Sequence, residues 1–425
     1  MPTMSAQQFI QTFIQRQGLW MLGANVLAKL AGFAAVVLVT RTVSEASYGA
    51  YAYAMVLVSA FVPFMGFGAY QAFLKFGADA PGQSAKRQLH AYALARGTML
   101  SLALVAAITA CAFLLGSGVP ESVPLMQIVA WTFVSTLWME HTKSYAKCLH
   151  LNRASAQVDI TYSFLLVTMV WGFTSMWGVE GYAYAVVSAP ALASLPWMAR
   201  LHVLHWSWKP LADAFQGFWS YGMYTAFGAL LANAFYAVDV YLIGRCLADS
   251  ADEVALYRVA FLIPLATRVV PVAVAATDFV KTASYASKAH KLWAYMKNYW
   301  RTFGLLSFAM LAILWGLTPW LLTVFGPGYE EGAGVMRVLL MGMLGGHWLR
   351  IPLGNMLSAL GRANWNTMVN AVVLSTTAIL CLWRIPTDGI SGAAKIMAGM
   401  IWLNGAMSLC LLWLHTELLR RQSQV

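Results

Sequence analysis

Hydrophobic residues run along this chain in long blocks, not in the short alternations of a soluble fold. The first block, Gly18 to Thr40, is 23 residues long and carries one charge, Lys29. As a helix it would be about 34 Å long, enough for a hydrocarbon core of about 30 Å. Blocks near residues 48–70, 93–115, 125–147, 158–177 and 181–203 complete a first set of six. A second set lies near 217–243, 254–276, 301–325, 334–357, 365–384 and 390–414. The pattern predicts an all-α, polytopic membrane protein of about 12 transmembrane helices. Gln17-Gly18-Leu19-Trp20 opens the first block and Gln216-Gly217-Phe218-Trp219 the seventh. With six blocks per half, this echo predicts two like-oriented six-helix bundles, residues 1–210 and 211–425.

Composition agrees: the 425 residues are 60% hydrophobic and 10% charged, which excludes a soluble globular domain. The five cysteines are scattered through or beside apolar segments, so neither a disulfide framework nor a zinc site is indicated. The glutamine-rich start lacks the short apolar run and cleavage site of a signal peptide, so the first span is expected to be retained. The net charge of +11 matters through its distribution. If each span reverses the chain, eighteen Lys and Arg fall on the N-terminal side and three on the other. That bias predicts both termini in the cytoplasm, with the largest inner loops after the second and eighth spans. The loop cations read as facing water or anionic headgroups, and His205 to Trp208, Trp293 and Trp300 as interfacial anchors. A nucleic-acid partner is not expected.

No outer loop exceeds about ten residues, and the chain lacks a phosphate-binding glycine loop, a His-Glu-x-x-His helix and a nucleophile elbow, so no enzyme is expected. Chemistry then rests on charges inside the spans: Lys29, Arg258, Arg268, Arg337, Arg350 and Lys395, against Asp159 and Asp239. Each costs roughly 2.5–3.5 kcal/mol at mid-bilayer, so six cations facing two acids implies an anion from outside the protein. Arg337 and Lys395 lie near span ends and can snorkel; Arg258 is intermediate. Lys29, Arg268 and Arg350 lie deepest and form the ligand-facing trio, in which arginine forks and a lysine point charge suit a diphosphate. Asp159 is expected to cap its span. Asp239, with Tyr236 on its face, would pair with Lys29 or Arg258, or carry a coupling proton; the residues leave these open. Pro264 and Pro271 flank Arg268, and Pro352 follows Arg350, predicting kinks beside both charges. His347 reads as a packed histidine. In the first span, Asn25 shares the face of Lys29, while Ala24, Ala28, Ala31, Gly32 and Ala35 offer small packing surfaces.

Two junctions carry a family resemblance. Thr40-Arg41-Thr42-Val43-Ser44 followed by Ser47-Tyr48-Gly49-Ala50-Tyr51, and Asp239 to Gly244 followed by Ala255-Leu256-Tyr257-Arg258-Val259-Ala260, resemble the matching junctions of Wzx-type polysaccharide-biosynthesis flippases. These belong to the multidrug/oligosaccharidyl-lipid/polysaccharide (MOP) superfamily, whose MATE-like fold sets two six-helix bundles in a V around a central cavity. The resemblance implies translocation of an undecaprenyl-diphosphate-linked oligosaccharide, an O-antigen or exopolysaccharide repeat unit, to the outer leaflet of a bacterial inner membrane by alternating access. It implies that Lys29, Arg268 and Arg350, with Arg258 beside them, receive the diphosphate and sugar, and that Asp239 serves coupling or an ion pair. No cofactor is implied, and proton or sodium coupling stays open. Implied partners are the lipid-linked glycan, membrane lipids and a polysaccharide polymerase or export machinery. A potential negative inside favours outward passage of an anion by about 2.3 kcal/mol per charge per 100 mV. A multidrug/cation antiporter of the same superfamily would need an anionic cavity, and a membrane polymerase or ligase a large catalytic outer loop; a peptidoglycan-precursor flippase would carry more spans.

Overall fold

The computed structural model describes residues 18–209, 215–248, 250–286 and 288–422. The glutamine-rich start with Gln17 and Arg16, and Asp249, fall outside them, as do the side chains of Lys281, Arg420 and Arg421. The chain divides into two compact units, Met1–Leu230 and Leu231–Val425. No strand occurs among the described residues.

In the first unit, α1 (Gly18–Thr40) packs along α7 (Asn152–Arg200). Its contact face is the small-residue row Ala24, Ala31 and Ala35, all buried, which lets the two backbones approach closely. The Ser44 hydroxyl caps α2 (Glu45–Phe61) by accepting from Ser47 N at 3.3 Å, and Glu45 adds its charge to the first turn. Pro63 has no N–H to continue that helix, and the chain turns tightly through Val62–Gly68 before α3 (Ala69–Asp79). The break stays buried because Gly66 N donates to Ser101 Oγ of α4 (Gly82–Leu115) at 2.8 Å. Between α3 and α4 only Ala80 and Pro81 remain, so the long inner loop expected after the second span is instead helix. Hydropathy marks where a helix meets lipid, whereas its backbone hydrogen bonds carry on into the polar region. The unit continues with α5 (Ser122–Val129), α6 (Thr132–Cys148) and α7.

Helix α7 has 49 residues, about 74 Å if straight and more than twice a bilayer core. It is not straight. Gly178 has φ +57°, open to glycine without strain, and folds the helix into a hairpin. Eight residues apart along one helix, Phe173 and Gly181 would be separated by about 12 Å. Here a Cβ placed on Gly181 would meet Phe173 O at 2.0 Å.

In the second unit, α8 (Phe218–Ala234) enters from the first and bends by 46° through Phe235–Ala237 into α9 (Val238–Cys246). Next come α10 (Ser250–Thr267), α11 (Val269–Thr277) and α12 (Phe279–Ala283), a span interrupted at Arg268 and Asp278. A π turn at Trp300–Gly304 joins α13 (Ala289–Tyr299) to α14 (Leu305–Thr323), and another at Gly346–Arg350 joins α15 (Ala333–Gly345) to α16 (Ile351–Ala359). The last helix, α17 (Ala363–Gln422), is a second hairpin, folded at Gly389 with φ +60°. There Gly392 lies against Arg384 O, 3.1 Å from a would-be Cβ. The two hairpins share the pattern Gly-x-x-Gly-x-Ala, Gly178 to Ala183 and Gly389 to Ala394, an internal repeat the opening tetrapeptides only hinted at.

Among the described residues eight helices are long and apolar enough to cross a membrane, and the bent pair α8 and α9 makes a ninth. With two of the eight folded into paired arms, this all-α arrangement is compatible with the twelve spans expected.

Candidate functional site

Two broken spans of the second unit bring Arg268 and Arg350 to one tyrosine. Tyr236 lies in the bend between α8 and α9, where backbone direction changes and an aromatic ring can project from between two helix axes. The Arg268 guanidinium stands 4.4 Å from its ring centroid, and that of Arg350 4.8 Å, with Phe235 on another side at 4.6 Å. Arg350 Nη1 also donates to the Tyr236 hydroxyl. Cation–π contact, with two rings for Arg350 and one for Arg268, partly replaces the water each guanidinium has left. It does not neutralise them: among the described residues neither arginine has a carboxylate within 4 Å, and Arg268 Nε is buried without a partner.

The backbone explains why both arginines sit so deep. Helix α10 runs through Pro264 and ends at Thr267, whose hydroxyl donates to Pro264 O at 2.6 Å; Pro271 offers no N–H, and the helix restarts after Arg268. Pro352 likewise leaves Trp348 O without its helical donor, and Trp300 Nε1 supplies one at 2.8 Å. In return Trp348 Nε1 donates to Gly304 O at 3.0 Å, so the two π turns clasp one another through reciprocal indoles. The Tyr299 hydroxyl donates to His347 O at 3.0 Å, and the buried His347 ring shares a hydrogen bond of 3.1 Å with Thr267 Oγ1. His347 is packed, as expected from its glycine-rich surroundings, and it ties the two arginine-bearing breaks together.

The other candidates lie apart from this pair. Lys29 is exposed on α1, on the same side as exposed Asn25 and away from the alanines that meet α7. Arg258 is half-buried on α10, with no carboxylate within 4 Å among the described residues. Asp239 is fully buried and accepts from the Tyr257 hydroxyl at 2.6 Å and from Val240 N at 2.8 Å; no ion pair joins it to Arg258. Arg337 lies over Trp315 at 4.7 Å, and Lys395 is exposed.

Asp159 corrects the sequence reading. It lies two turns into α7, not at its start, and forms a buried ion pair with Lys143 Nζ at 2.7 Å. Lys143, one of the eighteen cations counted to the N-terminal side, is buried in α6 and also pairs with Glu140 at 2.9 Å. It falls near the inner end of the predicted block 125–147, where position alone does not distinguish a headgroup-facing lysine from a buried one. Adding Lys143 and Glu140 to the intramembrane charges still leaves the cations in excess.

Broken apolar spans carrying cations without a carboxylate, on an all-α frame of this kind, define a multi-pass membrane protein. Residues 14–277 match the polysaccharide biosynthesis protein family, and the chain belongs to it. A multidrug resistance MATE family transporter of the MOP superfamily, in an inward-facing conformation, superposes with TM-score 0.80 at 13% identity, covering 93% of this chain and 96% of that one. The lipid II flippase MurJ, in an inward closed conformation, gives TM-score 0.73 at 13% identity over 92% and 87%. A MOP superfamily transporter from Pyrococcus furiosus, described by the reverse polarity of its binding pocket, gives 0.67 at 14% over 96% of each chain. Identities this low speak to fold alone. Among curated proteins none matches the chain.

Proposed function

We propose that this protein is a flippase that moves an undecaprenyl-diphosphate-linked oligosaccharide, an O-antigen or exopolysaccharide repeat unit, from the cytoplasmic to the outer leaflet of the inner membrane by alternating access. The observation that carries the reading is the convergence of Arg268 and Arg350 on Tyr236 without a carboxylate. One buried fork, Arg350, and one half-buried, Arg268, stand 4 to 5 Å from a shared ring with no carboxylate to occupy their donors, and phosphate oxygens accept from such forks in pairs. Lys29, exposed on α1, is proposed as a substrate-binding cation of the first unit, and Arg258 as a flanking charge in the second. Asp239, buried and hydrogen-bonded from Tyr257, is the proposed coupling group for a proton or sodium ion. Membership of the polysaccharide biosynthesis family supports a glycan cargo, and a fold shared with a lipid II flippase supports a lipid-linked one. On this reading the protein performs no covalent chemistry, both termini are cytoplasmic, and a polysaccharide polymerase or export complex takes the product.

The test is translocation in liposomes of a fluorescent undecaprenyl-diphosphate oligosaccharide by the unaltered protein and by Lys29→Ala, Arg268→Ala and Arg350→Ala at equal abundance. Losing one charge-assisted contact of about 1.5–3 kcal/mol predicts a fall of roughly tenfold or more for each arginine variant. Movement of a cationic dye with no movement of the glycolipid would overturn the reading in favour of a drug antiporter.

A further inference from the structure

We infer that the second unit holds a sugar subsite separate from its arginine pair, for hydroxyl-rich, uncharged sugars of the lipid-linked glycan. The inference rests on the flippase reading and adds where the glycan is recognised. A cavity of about 420 Å³ opens beside α13 and the π turn that follows it, within the usual size of a small-ligand site. Its wall is a ladder of rings at every fourth residue: Tyr295, Tyr299 and Phe303, with centroids 6.5 and 5.7 Å apart and planes tilted by 34° and 35°. Tyr285 adds a ring from outside the ladder. The polar lining includes Asp278, which accepts from the Tyr295 hydroxyl at 3.0 Å, and exposed Asn298 on the ladder's own helix.

This chemistry matches a pyranose. Aromatic faces pack on the C–H face of a sugar ring, while a carboxylate accepts from its hydroxyls and a carboxamide both donates and accepts. A cavity for a lipid chain would not need Asp278 and Asn298, and one for a diphosphate would not present a carboxylate.

Its position relative to the arginines is set by two covalent and hydrogen-bonded links. Arg268 and Asp278 flank the two ends of α11, which places them about 15 Å apart along its axis. Tyr299 is anchored to His347 O, in the same π turn that carries Arg350. A ligand with its diphosphate at Arg268 and Arg350 would therefore extend its glycan along α11 toward Asp278. Lys291 also lines the cavity, and with its sequence neighbours Lys288, Lys297 and Arg301 it belongs to the set that the charge bias assigns to the cytoplasm, the side from which the proposed cargo loads.

The test is binding to the full-length protein in detergent, followed by quenching of tryptophan fluorescence. The probes are farnesyl diphosphate and the same lipid carrying N-acetylglucosamine or galactose. In the unaltered protein at least one glycosylated probe binds more tightly than farnesyl diphosphate. Tyr295→Ala and Asp278→Ala each remove that gain, up to about tenfold, and leave farnesyl diphosphate unchanged. Tyr295→Phe and Asp278→Asn, which keep the packing, lose less. Arg350→Ala weakens every probe alike. If no sugar adds affinity, or if Tyr295 and Asp278 variants weaken all probes equally, the sugar subsite is wrong. If instead Arg350→Ala leaves farnesyl diphosphate binding intact, the diphosphate reading fails, whatever the sugars show.

Discussion

Lys143 and Arg350 show how burial alone says little about the role of a cation. Both are buried, but Lys143 has two carboxylates within 3 Å and Arg350 has a tyrosine hydroxyl and two rings. The first is a closed structural set, the second an open one. Removing one partner of a buried pair strands the other, at about 3–5 kcal/mol, so Lys143→Met and Asp159→Asn should each lower the melting temperature of the purified protein markedly. The double variant Lys143→Met with Asp159→Asn should recover part of that loss, Glu140 being left without its lysine, as monitored by thermal unfolding in detergent; strictly additive losses would mean the pair is not a unit. At this scale the sequence was legible for residue type and depth. Arg268 and Arg350 were singled out on those grounds, while Tyr236 was noticed only as a neighbour of Asp239. Nothing in local spacing shows that residues 236, 268 and 350 meet.

Helix breaks govern what those residues can reach. Prolines at 264, 271 and 352 are readable as kinks, and for Pro352 the structure adds which carbonyl is freed, Trp348 O, and what replaces its donor, Trp300 Nε1. The paired indoles of Trp300 and Trp348 had no sequence signal, because Trp300 reads as a membrane-interface anchor and Trp348 as one more apolar residue inside its span. The hairpins at Gly178 and Gly389 make a sharper case. A Cβ at position 181 would stand 2.0 Å from a carbonyl oxygen, so Gly181→Ala must open the turn, and Gly392→Ala meets the Asp388 side chain at 2.8 Å. Both should lower the melting temperature. Gly399→Ala, in open space on a helix, should leave it level or raise stability by up to about 1 kcal/mol. Comparable melting curves for all three would show that the hairpins tolerate a side chain.

For the molecule as a whole, orientation decides the direction in which the proposed flippase would carry its cargo. The eighteen-to-three bias predicts that, in a cysteine-free background, Glu121→Cys reacts with a membrane-impermeant maleimide added to intact cells, and Arg87→Cys reacts only after lysis. The reverse labelling would invert the protein and remove the proposed cytoplasmic loading. The same bias remains after Lys143 is reassigned to a buried pair, since it depends on the many cations at helix ends and not on any one of them.

Hydropathy and charge alone determined that the chain is helical and multi-pass, with cations in excess inside its apolar spans, while two short junction motifs carried the family resemblance. Those properties are additive along the chain: each apolar block must satisfy its backbone as a helix, and each buried charge carries its own cost. The tertiary structure alone decided which charges are paired, where helices stop and fold back, and which aromatic rings join Arg268 to Arg350 or line the cavity beside Asp278. Those depend on contacts between residues tens to more than a hundred positions apart, and such contacts form only when breaks in the helices bring their carbonyls and side chains to one place.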